Sequence, residues 1–127
     1  MRIIWFALIM SIGVYFALTL FAQRSENVEP NSMLSMILIV IAASTTLVSF
    51  LIKSKLLTKA IDQAQVQQAY VVAWAVTEVA ALLGVLDYFM TTDRYYYVPF
   101  LIALCGQLLH FPRSEHVINA SFKRTAF

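Results

Sequence analysis

Residues 33–52, MLSMILIVIAASTTLVSFLI, form a run of twenty residues that contains no charged side chain. A helix of about 20 apolar residues is long enough to cross the roughly 30 Å hydrocarbon core of a bilayer. Pro30 precedes the run and Lys53 follows it, so the run is bounded on both sides. We therefore predict a membrane-spanning helix over residues 33–52.

Three further apolar stretches lie on either side of this run, at residues 3–22, 69–90 and 95–111. The first is uncharged, and its length of about 20 residues exceeds the ~7–15 apolar residues of a signal peptide, so we predict a retained helix. The last ends before Pro112, because proline breaks a helix. We expect an all-α fold, an integral membrane four-helix bundle over residues 1–112. A polar, loosely ordered cytoplasmic tail should follow over residues 113–127.

The amino-acid composition also indicates a membrane protein. Of the 127 residues, 61% are hydrophobic and 13% are charged, whereas a soluble domain has roughly 45–50% apolar and about 25% charged residues. A chain this short has too much surface to hide so many apolar side chains from water. The net charge of +2 comes without a long polybasic run, so we expect the lipid bilayer as a partner and no nucleic acid.

The lysine and arginine residues fall unevenly on the two sides of a four-helix arrangement. Only Arg24 and Arg94 lie on one side. The other side carries the remaining basic residues: Arg2, Lys53, Lys55, Lys59, Arg113, Lys123 and Arg124. Cytoplasmic loops of membrane proteins carry an excess of basic residues. We therefore expect both termini on the cytoplasmic side of the membrane, with residues 23–32 and 91–94 on the outer side.

Glu78 lies near the middle of the predicted third helix, and no basic residue lies at its depth. An ionisable side chain is costly in hydrocarbon, so it is by default a candidate for function. We expect Glu78 to be buried and protonated. At 1.5 Å per residue, polar side chains of all four helices fall in one layer: Ser11, Ser44, Thr45, Thr46, Glu78 and Gln107. This layer either fixes the helix register through hydrogen bonds or binds protons or ions.

The predicted third helix also presents a face of small residues, formed by Ala73, Thr77, Ala80 and Gly84. Small residues at this spacing let two helices approach closely in a membrane. Asp87 lies roughly on the opposite face, near the outer end of the helix. We expect Asp87 to be interfacial, reaching water or pairing with Arg94.

Residues 73–86, AWAVTEVAALLGVL, resemble the carboxyl-bearing helix of rotary ATP synthase subunit c. Glu78 and Gly84 occupy the places of that family's ion-binding carboxylate and of the glycine that follows it. The first two predicted helices contain only Gly13, whereas the first helix of subunit c is rich in glycine. The resemblance therefore implies a buried, protonatable Glu78 and no more. The whole chain is similar to small uncharacterised four-helix proteins of bacterial inner membranes.

The histidines and the cysteine predict no cofactor. His110 ends the fourth stretch, where a weak alternative is ligation of a haem or a chlorophyll-type pigment. No second histidine lies at its depth, so we expect an interfacial imidazole bonded to water. His116 should be solvated in the tail, and Cys105 should be a packing residue.

Two functions remain open. The chain lacks the common catalytic motifs, HExxH, GxSxG, CxxC and the Walker loop, so we expect no enzyme. The first function is a non-catalytic accessory or structural subunit that packs against other subunits of a larger bacterial membrane complex, with an energy-transducing complex as one option. The alternative is a small proton-coupled transport protein that uses buried Glu78. A sealed Glu78 favours the first function, and a water path to Glu78 favours the second.

Overall fold

The computed structural model describes residues 1–22 and 29–126, which fold into α-helices without a β-strand. The helices are α1 (Arg2–Phe21), α2 (Ser32–Lys59), α3 (Gln63–Thr91), α4 (Val98–Leu109) and α5 (Ser114–Ala126). The prediction of an all-helical chain is confirmed, with a fifth helix added. Most of the expected outer loop, residues 23–28 including Arg24, lies outside the described residues.

Three of these helices, α1, α2 and α3, are long and apolar enough to cross a membrane. The fourth is shorter than the sequence predicts, because it covers only Val98–Leu109. Tyr95–Tyr97 form a turn instead of a first helical turn, and Pro99 follows at the start of α4. Proline suits that position, since its fixed φ matches a helix and its missing N–H needs no partner there. At 1.5 Å per residue, α4 is only about 18 Å long.

The helices α2 and α3 form a long antiparallel hairpin. They extend past the predicted spans to Lys59 and from Gln63, and only residues 60–62 separate them. Asp62 caps α3, because its carboxylate accepts a hydrogen bond of 2.8 Å from the Gln65 N–H group. Such a cap satisfies a backbone donor that the helix leaves unpaired.

The polar C-terminal segment is not loosely ordered but forms α5. Its Ala120 is 2% exposed and packs with Val66, Tyr70 and Trp74 of α3. About one turn further along α5, Lys123 Nζ donates a hydrogen bond of 2.9 Å to the Thr58 carbonyl of α2. A small apolar face therefore fastens an otherwise polar helix to the hairpin.

The core is centred on α3, which packs against every other helix. By contrast, only Ile12 and Thr19 of α1 are buried. Met1, Gln63, Pro112 and Val117 line one shared cavity. The N-terminus, the α2–α3 turn and α5 therefore meet at one end of the molecule, here called the basic end. The seven basic residues predicted to share one side belong to this end.

Candidate functional site

Glu78 is held in the contact between α1 and α3. The Ser11 hydroxyl makes a short hydrogen bond to Glu78 Oε1, and it also lies 2.8 Å from the Leu8 carbonyl of its own helix. Glu78 is half-buried, so it is less enclosed than the sequence predicts. The structure thus brings together two members of the predicted polar layer that are 67 residues apart in the chain.

The other four members of that layer lie apart from Glu78. Ser44 and Thr45 donate hydrogen bonds of 2.8 Å to carbonyls of α2 itself, and Ser44 is exposed. Thr46 is buried and donates to the Ala42 carbonyl at 3.0 Å. The Gln107 side chain is fully buried, and its amide has no hydrogen-bond partner in the described part of the chain. The layer is therefore not one connected network.

A second polar group, which the sequence analysis missed, lies around His110. Its Nε2 is 2.7 Å from Ser49 Oγ, which is in turn 3.2 Å from Thr77 Oγ1. The imidazole is fully buried and stacks on Phe50 with a centroid distance of 4.1 Å. The prediction of an interfacial, water-bound His110 is wrong, because Ser49 replaces the water and Phe50 covers the ring. The Ser49 contact takes up Nε2, whereas Nδ1 has no hydrogen-bond partner among the described residues.

The prediction that Asp87 is interfacial is also wrong. Asp87 is 0% exposed. Ser35 at the start of α2 donates a 2.8 Å hydrogen bond to its Oδ2, and the Thr91 hydroxyl bonds to its Oδ1. Arg94 does not pair with Asp87 but lies over the Tyr95 ring at 4.8 Å. In an antiparallel hairpin the start of α2 adjoins the end of α3. This geometry could have predicted from the sequence that Ser35 contacts Asp87.

The small-residue face of α3 is buried along its whole length: Ala73, Thr77, Ala80 and Gly84. A Cβ atom added to Gly84 would lie 2.7 Å from the Phe100 ring of α4. Gly106 of α4, which sequence reasoning passed over, is equally tight. A Cβ there would lie 2.7 Å from Thr46 Cγ2 and 2.9 Å from Thr77 Cγ2. Both glycines let α4 approach the hairpin closely.

A cavity of about 600 Å³ opens at the basic end, between α2, α3 and α5. We call it the basic cavity, because Lys53, Arg113, His116 and Lys123 line it. Lys53 Nζ lies 5.4 Å from the centre of the Tyr70 ring. No carboxylate lines the cavity within the described ranges.

Tyr70 organises the inner wall of the basic cavity. Its hydroxyl accepts a 3.2 Å hydrogen bond from the Arg113 N–H group and makes a short contact with His116 Nδ1. The Tyr70 hydroxyl can accept from Arg113 and donate a hydrogen bond to Nδ1 of a neutral His116 at the same time. Burial, and then the charges of Lys53 and Arg113, lower the pKa of His116, and Glu115 opposes them. His116 is thus neutral at pH 7, and it is not the solvated residue that the sequence predicts.

Acidification should therefore loosen α5. A histidine whose pKa is lowered in the docked state takes up a proton more readily when α5 is undocked, so the docking free energy falls as the pH drops below the ordinary histidine value of about 6.5. In a neutral detergent, hydrogen exchange of α5 should rise between pH 7.5 and 5 relative to α2. His116→Gln should remove this difference. An α5 equally protected at both pH values would contradict the prediction.

No known protein family, curated protein or solved structure matches this chain.

Proposed function

We propose that this chain is an integral protein of the bacterial inner membrane, a non-catalytic accessory subunit that packs against a larger membrane complex. The observation that carries the proposal is the division of its surface. Most polar side chains of the apolar helices bond to one another or to backbone carbonyls, and the Gln107 amide is an exception. By contrast, α1 exposes many of its apolar side chains, with Ile3 86% and Phe21 88% exposed. In a bilayer such a surface suits lipid or the helix of another subunit.

The carboxyl groups of α3 support a structural role. Glu78 is bonded by Ser11 of α1, and Asp87 is bonded by Ser35 of α2. Neither carboxyl lines the basic cavity or the groove described next. The alternative, proton-coupled transport through Glu78, requires an open route to this side chain, and the hydrogen bond within the α1–α3 contact favours the accessory role.

A groove between α1 and α4 is the best candidate for the subunit contact. It encloses about 470 Å³ and is lined by apolar side chains that include Met10, Phe16, Phe100 and Leu104. The groove is open because α4 is short and because Gly13 contributes no side chain to it. A Cβ atom added to Gly13 would have no neighbouring atom within 4 Å. A helix of another subunit would fill it by close packing, which is the main driving force for helix association in lipid.

Photo-crosslinking in native membranes tests the proposal. A photoreactive residue at Met10 or Leu104 should give a discrete product with a second protein. The same group at Val40, on the exposed outer face of α2, is the matched control and should react mainly with lipid. Lipid adducts alone at all three positions, with a single copy of the 14.4 kDa chain on native gels, would refute the accessory role. The proposed orientation further requires that a periplasm-dependent reporter at the C-terminus stays inactive.

Substitution of Glu78 separates the two functions. Glu78→Gln should leave stability and the crosslinked product unchanged, because the amide keeps an acceptor for Ser11 in nearly the same shape. Glu78→Ala should cost only about 1 kcal/mol, since Ser11 retains the Leu8 carbonyl as an acceptor and a typical hydrogen bond contributes about that much. Thermal unfolding in detergent measures both. A Gln variant that folds and assembles but abolishes proton uptake in proteoliposomes would favour transport.

A further inference from the structure

We propose that the basic cavity binds a phosphate group, supplied by the head group of an anionic lipid or by a soluble phosphate compound. Its cations come from three separate parts of the chain: Lys53 from α2, Arg113 from the α4–α5 connection and Lys123 from α5. Like charges repel, so folding brings these groups together at a cost that a bound anion offsets. The inference rests on the proposed function in one respect, namely that the basic end lies at the surface of a membrane.

The contacts of the three cations leave them free to bind an anion. Lys53 lies over the Tyr70 ring, and Lys123 bonds to the Thr58 carbonyl, so both are oriented without being neutralised. Arg113 has an exposed side chain, and the hydrogen bonds that the described residues make with it involve its backbone N–H and carbonyl groups. Throughout residues 1–22 and 29–126, none of the three forms an ion pair with a carboxylate. Ammonium and guanidinium groups are the usual protein ligands of phosphate.

Neutral donors line the same cavity. His116, whose Nδ1 contacts the Tyr70 hydroxyl, lies in the wall together with Ser54 and Asn119. A phosphate group has several acceptor oxygens and is best held by such a mixed set of charged and neutral donors. The volume of about 600 Å³ falls within the roughly 300–1,000 Å³ of ordinary small-molecule sites.

The apolar part of the wall favours a lipid as the source of the phosphate. Leu57, Leu109 and Phe111 line the cavity beside the cations, and Leu109 is 67% exposed. Lys53 directly follows the uncharged run of α2, so the cavity lies where the apolar helices meet the basic end. Basic pockets between helices at the cytoplasmic surface are suited to lipid head groups. A soluble phosphate compound would make no use of the leucines.

Lipid retention measured by native mass spectrometry tests the proposal. The protein is reconstituted in phosphatidylcholine nanodiscs with or without phosphatidylglycerol and then released into a neutral detergent. The wild type should retain phosphatidylglycerol, and Lys53→Gln with Arg113→Gln should weaken that binding on the order of tenfold or more, because two charges near the surface are removed. Lys123→Gln, at an exposed helix end, is a milder second variant and should weaken binding several-fold.

The matched control is Lys55→Gln with Arg124→Gln, which removes the same charge from exposed residues of the basic end outside the cavity. It should change lipid binding less than about twofold. Equal losses in the two double variants, with matching helix content and melting curves, would overturn the proposal, because they would reveal a general charge effect.

A second arm distinguishes the source of the phosphate. Inorganic phosphate is titrated into the detergent-solubilised wild type and both double variants. Binding of phosphate alone, lost only in the cavity variant, would support the site with a soluble source. Binding of neither probe would overturn it. The crosslink at Met10 is measured in the same variants, and because it does not involve the cavity, failure of the phosphate site and failure of the accessory role give different results.

Discussion

Replacing Gly106 by alanine should lower the free energy of unfolding by about 2–3 kcal/mol, near the upper end of the usual cost of overpacking. The new methyl group would lie 2.7 Å from Thr46 Cγ2 and 2.9 Å from Thr77 Cγ2. Both neighbours are β-branched and buried, and each hydroxyl is fixed to its own helix, so neither side chain can turn away cheaply. Helix α4 must instead move off the hairpin. Thermal or denaturant unfolding in a mild detergent measures the loss.

Gly13→Ala is the matched control for this substitution. It lies within α1, and a Cβ atom there meets nothing within 4 Å. Alanine is favoured over glycine inside a helix by roughly 1 kcal/mol, so the control should be neutral or slightly stabilising. Gly106→Ala gains the same helix propensity, so the variant is destabilised only if the cost of the clash exceeds roughly 1 kcal/mol. If Gly106→Ala is as stable as Gly13→Ala, α4 does not pack against Thr46 and Thr77 as the structure shows.

The long helices were predictable because a single property defines them. Runs of about 20 uncharged apolar residues have few alternatives to a helix, and both ends of α1, the start of α2 and the end of α3 lie close to the predicted limits. The length of α4 was not predictable in the same way. Tyr95–Tyr97 are compatible with a helix by composition, and their turn depends on where the chain must cross to pack Phe100 against Gly84. Helix α5 escaped prediction because only a small apolar face, including Ala120, fastens it.

The polar contacts could be predicted from the sequence only with knowledge of which helix ends meet. The depth of each residue correctly put Ser11 near Glu78, but depth does not specify the side of the helix. Ser44 and Thr45 have the right depth and point elsewhere. His110 looked interfacial because it lies at the end of the last apolar stretch, yet Ser49 of α2 lies beside it. The basic cavity combines residues from both sides of the hairpin, and no local pattern in the sequence marks it.

Asp87→Ala should be strongly destabilising, by about 2–3 kcal/mol. The carboxyl group is fully buried and joins α2 to α3 through hydroxyl groups of Ser35 and Thr91. Removal leaves the buried Ser35 hydroxyl without its acceptor and creates a small void. Thr91 keeps the Asp87 carbonyl as an acceptor, so its lost contact adds little. Asp87→Asn should be close to the wild type, because the amide oxygen can accept from Ser35 while the amide N–H donates to Thr91. Unfolding of both variants in detergent measures the difference.

A double-mutant cycle with Ser35→Ala identifies the source of this loss. Ser35→Ala alone should cost about 1 kcal/mol, and the double variant should lose less than the sum of the two single losses, because both changes remove the same hydrogen bond. Polar groups deleted together leave no unsatisfied partner, whereas deletion of one leaves the other buried and unpaired. Strictly additive losses would show that Ser35 and Asp87 do not interact. Because this pair lies at the end of α3 opposite the basic end, its loss should leave phosphate binding by the basic cavity unchanged in protein that remains folded.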